Sequence, residues 1–230
     1  MQHNLKENVH NVINFYTNTH KVYGLGIDCL HNQYPNIEKR LIYILDKILV
    51  PFNKHPEFFI DKSVLDFGCG TGEHTYFLSK YVNTIDCFDP QIIHHNWLNS
   101  LFTSSNKIKV VKEDELTSKC YDTVFISGVL CCIYDYSTWL SNLINTLNFK
   151  NLVLVFQIGD EYKNVNSGQN IRNTRLYDNS TFDTQIYEKE VLKATSKLKL
   201  LDSCTYGTRQ GGKYDHEKII HFYKKSWTLK

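Results

Sequence analysis

The stretch Val64-Leu65-Asp66-Phe67-Gly68-Cys69-Gly70-Thr71-Gly72-Glu73 constrains the fold more than any other part of the chain. A short apolar run leads into three glycines at alternate positions, then into residues able to start a helix. An apolar run of that length, ended by glycines, reads as a buried strand. Glycine lets the chain turn tightly and lets a ligand approach the backbone. The helix that follows offers N–H groups with no intrahelical partner. In an open α/β sheet such a turn lies outside the carboxyl end of the strand, where ligands bind.

The spacing argues against two common nucleotide sites. The dinucleotide pattern G-x-G-x-x-G needs glycine at position 73, which is Glu73. A phosphate-binding loop needs Gly-Lys-Ser/Thr, which is absent. Asp66 stands just before the first glycine instead. Its charge would repel a pyrophosphate and hold a cationic amino-acid group. That favours a ligand made of a nucleoside and an amino acid over a nucleotide.

Further apolar runs follow at Thr84–Phe88, Ile108–Val111, Tyr121–Ser127 and Leu152–Phe156. Between them Glu73–Tyr81, Gln91–Phe102 and Thr138–Leu147 suit helices. Strands alternating with helices indicate a parallel sheet with right-handed crossovers. Upstream, Leu5, Val9, Val12, Ile13 and Tyr16 fall at helical spacing, as do Ile37, Leu41, Ile44, Leu45 and Ile48 within Asn36–Leu49. Downstream the rhythm breaks. Residues 159–184 are polar and read as a long excursion, followed by a helix over Gln185–Ser196. Leu198–Tyr206 and Lys218–Tyr223, separated by the glycine-containing stretch 207–212, read as a closing antiparallel pair at the sheet edge.

A chain of 230 residues suits one domain over 1–230, with residues 1–60 as a helical cover and 61–230 as the α/β core. The net charge of +2 is too slight for a dedicated nucleic-acid binder. Seven cysteines, with no metal-type spacing, argue for free thiols and no metal site. No apolar run suits a signal peptide or a membrane span, so a cytoplasmic location is expected.

With strand, Asp66 and alternate glycines in place, the chain resembles the class I S-adenosylmethionine-dependent methyltransferases. Their first motif has the form Asp-x-Gly-x-Gly-x-Gly after a hydrophobic strand, matched here by Asp66 to Gly72. The resemblance extends in order through roughly residues 60–157. It implies a Rossmann-like, doubly wound α/β fold of seven strands, the last antiparallel, with an N-terminal helical lid. It also implies S-adenosyl-L-methionine as cofactor, with Asp66, Gly68, Cys69, Gly70 and Gly72 under its methionine part. Asp89, in Phe88-Asp89-Pro90, stands where family members bind the ribose hydroxyls, and a carboxylate accepts two such O–H groups well. A helix cap before Pro90 is the alternative role for Asp89. Asp86 is its competitor but lies mid-strand. Glu113-Asp114-Glu115 follows the third strand, where Asp114 is the favoured adenine contact. Tyr121 to Leu130, with Ser127 counted among the cofactor residues, resembles the fourth strand and the turn beyond it.

Methyl transfer needs a nucleophile aligned with the departing methyl, and a general base only where a proton must leave. Tyr134 and Asp135, after the fourth strand, and His20, in the N-terminal cover, are the catalytic candidates. A helix cap is the competing role for Asp135. Gln157, Asp160 and Glu161 could face an acceptor, and Tyr16, His20 and Tyr23 could close over the cofactor. His31, His74, His94, His95 and His216 are further possible bases, each more often a surface or core residue; His31 flanks the Tyr23–Gly26 loop with His20, while His94 and His95 fall on the second crossover helix, away from the methyl. The Pro-Cys element of cytosine C5 methylation and the Asn-Pro-Pro-aromatic run of adenine amino methylation are both absent. The expected partner is therefore a small-molecule acceptor, methylated on oxygen or nitrogen and suited to a sugar or natural-product intermediate. An RNA methyltransferase, using Lys163, Arg172, Arg175, Arg209 and Lys213, is one alternative. A non-catalytic cofactor-binding subunit is another.

Overall fold

The apolar runs become strands and the periodic stretches become helices in a computed structural model, which describes residues 2–23, 37–157, 186–206 and 218–225. In chain order the elements are α1 (Gln2–Tyr23), α2 (Ile37–Lys54), β1 (Ser63–Phe67), α3 (Glu73–Leu78), β2 (Thr84–Phe88), α4 (Ile92–Phe102) and β3 (Ile108–Val110). Then come α5 (Glu113–Leu116), β4 (Cys120–Ser127), α6 (Tyr136–Thr146), β5 (Asn148–Gln157), α7 (Glu188–Ala194), β6 (Leu198–Tyr206) and β7 (Lys218–Lys225). The strands form a seven-stranded mixed sheet in the order β3-β2-β1-β4-β5-β7-β6. β7 runs antiparallel to both of its neighbours. The chain divides into two compact units, residues 1–112 and 113–230.

In the first unit β1 pairs in parallel with β2, and β2 with β3. The helical spacing of α1 buries Asn8, Val12 and Tyr16 on one stripe. On α2 the buried stripe is Leu41, Leu45, Ile48 and Phe52. α2 continues through Pro51 to Lys54, beyond the expected end at Leu49. Phe52 packs against Phe59 and Phe77 at centroid distances of 5.8 and 5.6 Å. Two polar residues tie these helices together. The Asn8 amide donates to the Phe77 carbonyl of α3 at 3.2 Å, and His74 Nε2–H donates to the Ile44 carbonyl of α2 at 2.8 Å.

In the second unit β4 and β5 are parallel, and β5 is longer than the apolar core of its sequence suggested. The β6–β7 antiparallel pair exists, but β7 is the inner strand and β6 the edge. Composition accounts for this. Ile219, Ile220, Phe222 and Tyr223 bury both faces of β7, whereas β6 alternates with polar residues. A bulge between Leu200 and Asp202 interrupts β6, a common feature of edge strands, and leaves Leu200 and Leu201 exposed. His221, fully buried on β7, links Tyr223 Oη at 2.6 Å to Glu188 at the start of α7 at 2.9 Å. Burial holds the His221 imidazole below its ordinary pKa, with Glu188 opposing the shift.

The loop Gly24–Gly26, His31, the excursion 159–184, Gln185, the stretch 207–212 and His216 lie outside the described residues. So do Asp160, Glu161 and the five basic residues of the RNA alternative. Among the described residues no helix is long and apolar enough to cross a membrane.

Candidate functional site

The glycine loop that follows β1 folds back onto β2. Gly68 and Cys69 donate their N–H groups to the Phe88 carbonyl at 2.7 and 3.0 Å, and Gly72 N–H closes on the Cys69 carbonyl at 3.0 Å. Two of the glycines serve different purposes. At Gly72 (φ +89°) a Cβ would stand 2.7 Å from Leu98 Cδ2 and 3.0 Å from the Phe102 ring, so α3 and α4 approach closely there. At Gly70 (φ +55°) a Cβ would meet nothing within 4 Å. The backbone at Gly70 borders open space, as a ligand lying against the loop requires.

Three carboxyl groups surround this loop. Asp66 on β1, Glu73 at the start of α3 and Asp89 just after β2 are 1%, 5% and 9% exposed. Asp66 Oδ2 accepts from the Thr75 hydroxyl at 2.6 Å. Burial pushes the Asp66 carboxyl up from 3.8 to about 7, against the opposing hydrogen bond from Thr75 and with help from the charges of Glu73 and Asp89. Glu73 accepts from the Thr71 hydroxyl at both oxygens, 2.7 and 2.8 Å away. Asp89 Oδ2 accepts from Gly70 N–H at 2.9 Å, and Oδ1 from Gln91 N–H at 3.0 Å. The surroundings repel phosphate and suit a cation.

The loop is also held through the Thr71 carbonyl. It accepts from Tyr16 Oη of α1 at 3.0 Å and from Trp97 Nε1 of α4 at 3.1 Å. Burial, reinforced by Glu73, raises the Tyr16 phenol well above its ordinary pKa. It stays protonated at neutral pH and acts as a donor, not a base. The Cys69 thiol is likewise raised by burial and by the neighbouring Cys87, so it is no thiolate nucleophile.

The remaining sequence candidates have these places. Asp86 is mid-strand in β2 and Pro90 is exposed. His20 and Tyr23 lie on α1, with side chains outside the described residues. In the second unit Asp114 is exposed in the single turn of α5. Ser127 ends β4, and its Oγ is buried with no hydrogen-bond partner among the described residues. Gln157 ends β5 and is half-buried. Asp135 caps α6, with Oδ1 accepting from Thr138 N–H at 3.1 Å. Tyr134 is 78% exposed.

His94 lies on the crossover helix α4, as its sequence position implies, and its Nδ1 is 2.9 Å from Asp89 Oδ1. Thr71, Thr75 and Trp97 were not singled out. The available signal for His94 was its position in the first turn of the helix entered straight after Asp89 and Pro90.

A mixed seven-stranded sheet with this acidic, glycine-lined turn after β1 defines a class I S-adenosylmethionine-dependent methyltransferase, an enzyme of Rossmann-like fold. The chain belongs to the family described as methyltransferase domain, whose family model matches residues 36–187. No curated protein sequence matches it. Its fold is similar to that of an S-adenosylmethionine-dependent methyltransferase from Clostridium acetobutylicum at 13% identity, with a TM-score of 0.55, covering 84% of this chain and 100% of that one. It is also similar to magnesium protoporphyrin IX methyltransferase from Synechocystis with bound S-adenosylhomocysteine, at 16% identity and TM-score 0.58, covering 80% and 83%. A third is the N-methyltransferase NodS from Bradyrhizobium japonicum, at 15% identity and TM-score 0.53, covering 76% and 87%.

Proposed function

We propose that this enzyme methylates an oxygen or nitrogen of a small molecule, with its cofactor seated on the loop Gly68–Gly72. The observation that carries the cofactor placement is the pairing of open space at Gly70 with the buried carboxyls of Asp66, Glu73 and Asp89. When bound, S-adenosylmethionine supplies a sulfonium-activated methyl group to a nucleophile. On this reading Asp66 faces the cationic methionine end, and the free acceptor capacity of Asp89 takes ribose hydroxyl. Tyr16 and Trp97 hold the loop through Thr71. Orientation and exclusion of water then supply much of the rate. For the acceptor, the slight net charge and the likeness in fold to a magnesium protoporphyrin IX methyltransferase both favour a small molecule over nucleic acid.

The test is calorimetric titration of the wild type and Asp89→Ala with S-adenosylmethionine. A hydrogen bond to a charged group contributes about 1.5–3 kcal/mol. Losing that contact, and the loop anchor with it, should weaken binding about 100-fold, since each 1.4 kcal/mol is tenfold. Equal affinity in both proteins would overturn the placement. Screening small acceptors against bulk RNA then decides the acceptor class, with methylated RNA as the outcome against it.

Asp66 adds a pH signature. Its carboxyl titrates near pH 7 in the free protein, and a cation beside it favours the ionised form. Binding should therefore release a proton near neutrality and weaken by up to about tenfold per pH unit below 7. Titration in buffers of different ionisation heat reads this release, which Asp66→Asn should abolish. The sign is reversed for stability. Asp66 holds its proton more tightly folded than unfolded, so its contribution is complete below pH 3.8 and is lost as pH rises through about 7.

A further inference from the structure

We propose that His94 is a positioning residue for cofactor binding, which turns the Asp89 carboxylate so that Oδ2 presents its remaining lone pair to the ribose. The inference rests on the reading of Asp89 as the ribose ligand.

A carboxylate has about four acceptor positions, two on each oxygen. At Asp89 three are in use. Oδ1 accepts from Gln91 N–H at 3.0 Å and from His94 Nδ1–H at 2.9 Å, so it is full. Among the described residues Oδ2 accepts only from Gly70 N–H, at 2.9 Å, and has one position left. The proton on Nδ1 follows from chemistry, because an ionised carboxylate cannot donate.

The two backbone donors come from Gly70, before β2, and Gln91, after it. They bracket the carboxylate at one oxygen each. His94 adds the second hold on Oδ1 from α4, a different element from the glycine loop. With Asp89 9% exposed and the His94 side chain 25% exposed, solvent competes weakly for that bond. Without His94, both backbone anchors remain but Oδ1 regains a free acceptor position, so the two oxygens are no longer distinguished for the ligand. The ligand must then select one orientation itself. Two consequences follow. Asp89 engages one ribose hydroxyl rather than two, and His94 affects affinity only through Asp89.

The experiment is a thermodynamic cycle of S-adenosylmethionine binding, measured by calorimetry on full-length protein. The variants are His94→Leu, His94→Asn, Asp89→Ala and Asp89→Ala/His94→Leu. Thermal midpoints confirm that each is folded. His94→Leu should weaken binding severalfold, because the ligand must then fix an orientation that the free protein no longer holds. His94→Asn, which keeps an N–H donor at similar reach, should recover most of the loss. In the Asp89→Ala background His94→Leu should have no further effect. Unchanged affinity in His94→Leu, failure of Asn to rescue, or an additive double variant would each overturn the proposal. Should Asp89→Ala itself bind normally, the ribose reading fails instead, which separates the two failures.

Discussion

Gly70→Ala should abolish cofactor binding while leaving the protein folded. The backbone there has φ +55°, close to the left-handed conformation that an L residue occupies at a cost of about 1–2 kcal/mol. The new methyl group would touch no protein atom within 4 Å. For a domain of this size the melting temperature should fall by only about 2–8 °C. The same methyl would occupy the space in which a ligand must lie against the loop. Binding should weaken at least about 100-fold, the equivalent of about 2.7 kcal/mol. A thermal melt beside a calorimetric titration checks both halves. Near-normal affinity would mean that the open space at Gly70 is not where the cofactor lies.

Two residues on, the same substitution should act on the fold. Gly72→Ala places Cβ 2.7 Å from Leu98 Cδ2 and about 3.0 Å from the Phe102 ring. Neither side chain can swing aside freely, because Leu98 is fully buried and Phe102 nearly so. The φ of +89° adds strain even after repacking. Overpacking costs about 1–3 kcal/mol and the left-handed backbone about 1–2 kcal/mol more. The melting temperature should drop by about 4–20 °C, or soluble yield should collapse. An unchanged melting curve would show that α3 and α4 separate more easily than their packing implies. Should both results hold, the two glycines divide the motif's roles between ligand access and helix packing.

The sequence made the first unit's loop readable because its requirements are local. A strand, a carboxyl and alternate glycines each have strong backbone preferences, and Asp89 follows directly from the end of β2. What escaped was set by contacts between elements. His94 looked like an ordinary helix residue because its partner is a side chain, and pairing of side chains leaves no periodic trace. The order of the last two strands was likewise invisible in chain order. It depends on β7 being apolar on both faces, which suits an inner strand, while β6 is not. The Leu200–Asp202 bulge arises from register with β7, which neither segment encodes alone. For Asp135, two roles competed on one short stretch, and the hydrogen bond from Thr138 shows the cap in use.

The bond from Trp97 to the Thr71 carbonyl also gives the enzyme an optical handle. An indole whose N–H is held by the loop backbone, and which is only 7% exposed, emits according to the polarity and hydrogen bonding at that one place. Any event that moves the loop changes the environment of a native fluorophore. With Trp139→Phe and Trp227→Phe removing the other two indoles, the loop can therefore be followed in time through Trp97 emission, without an added label and before any acceptor is known.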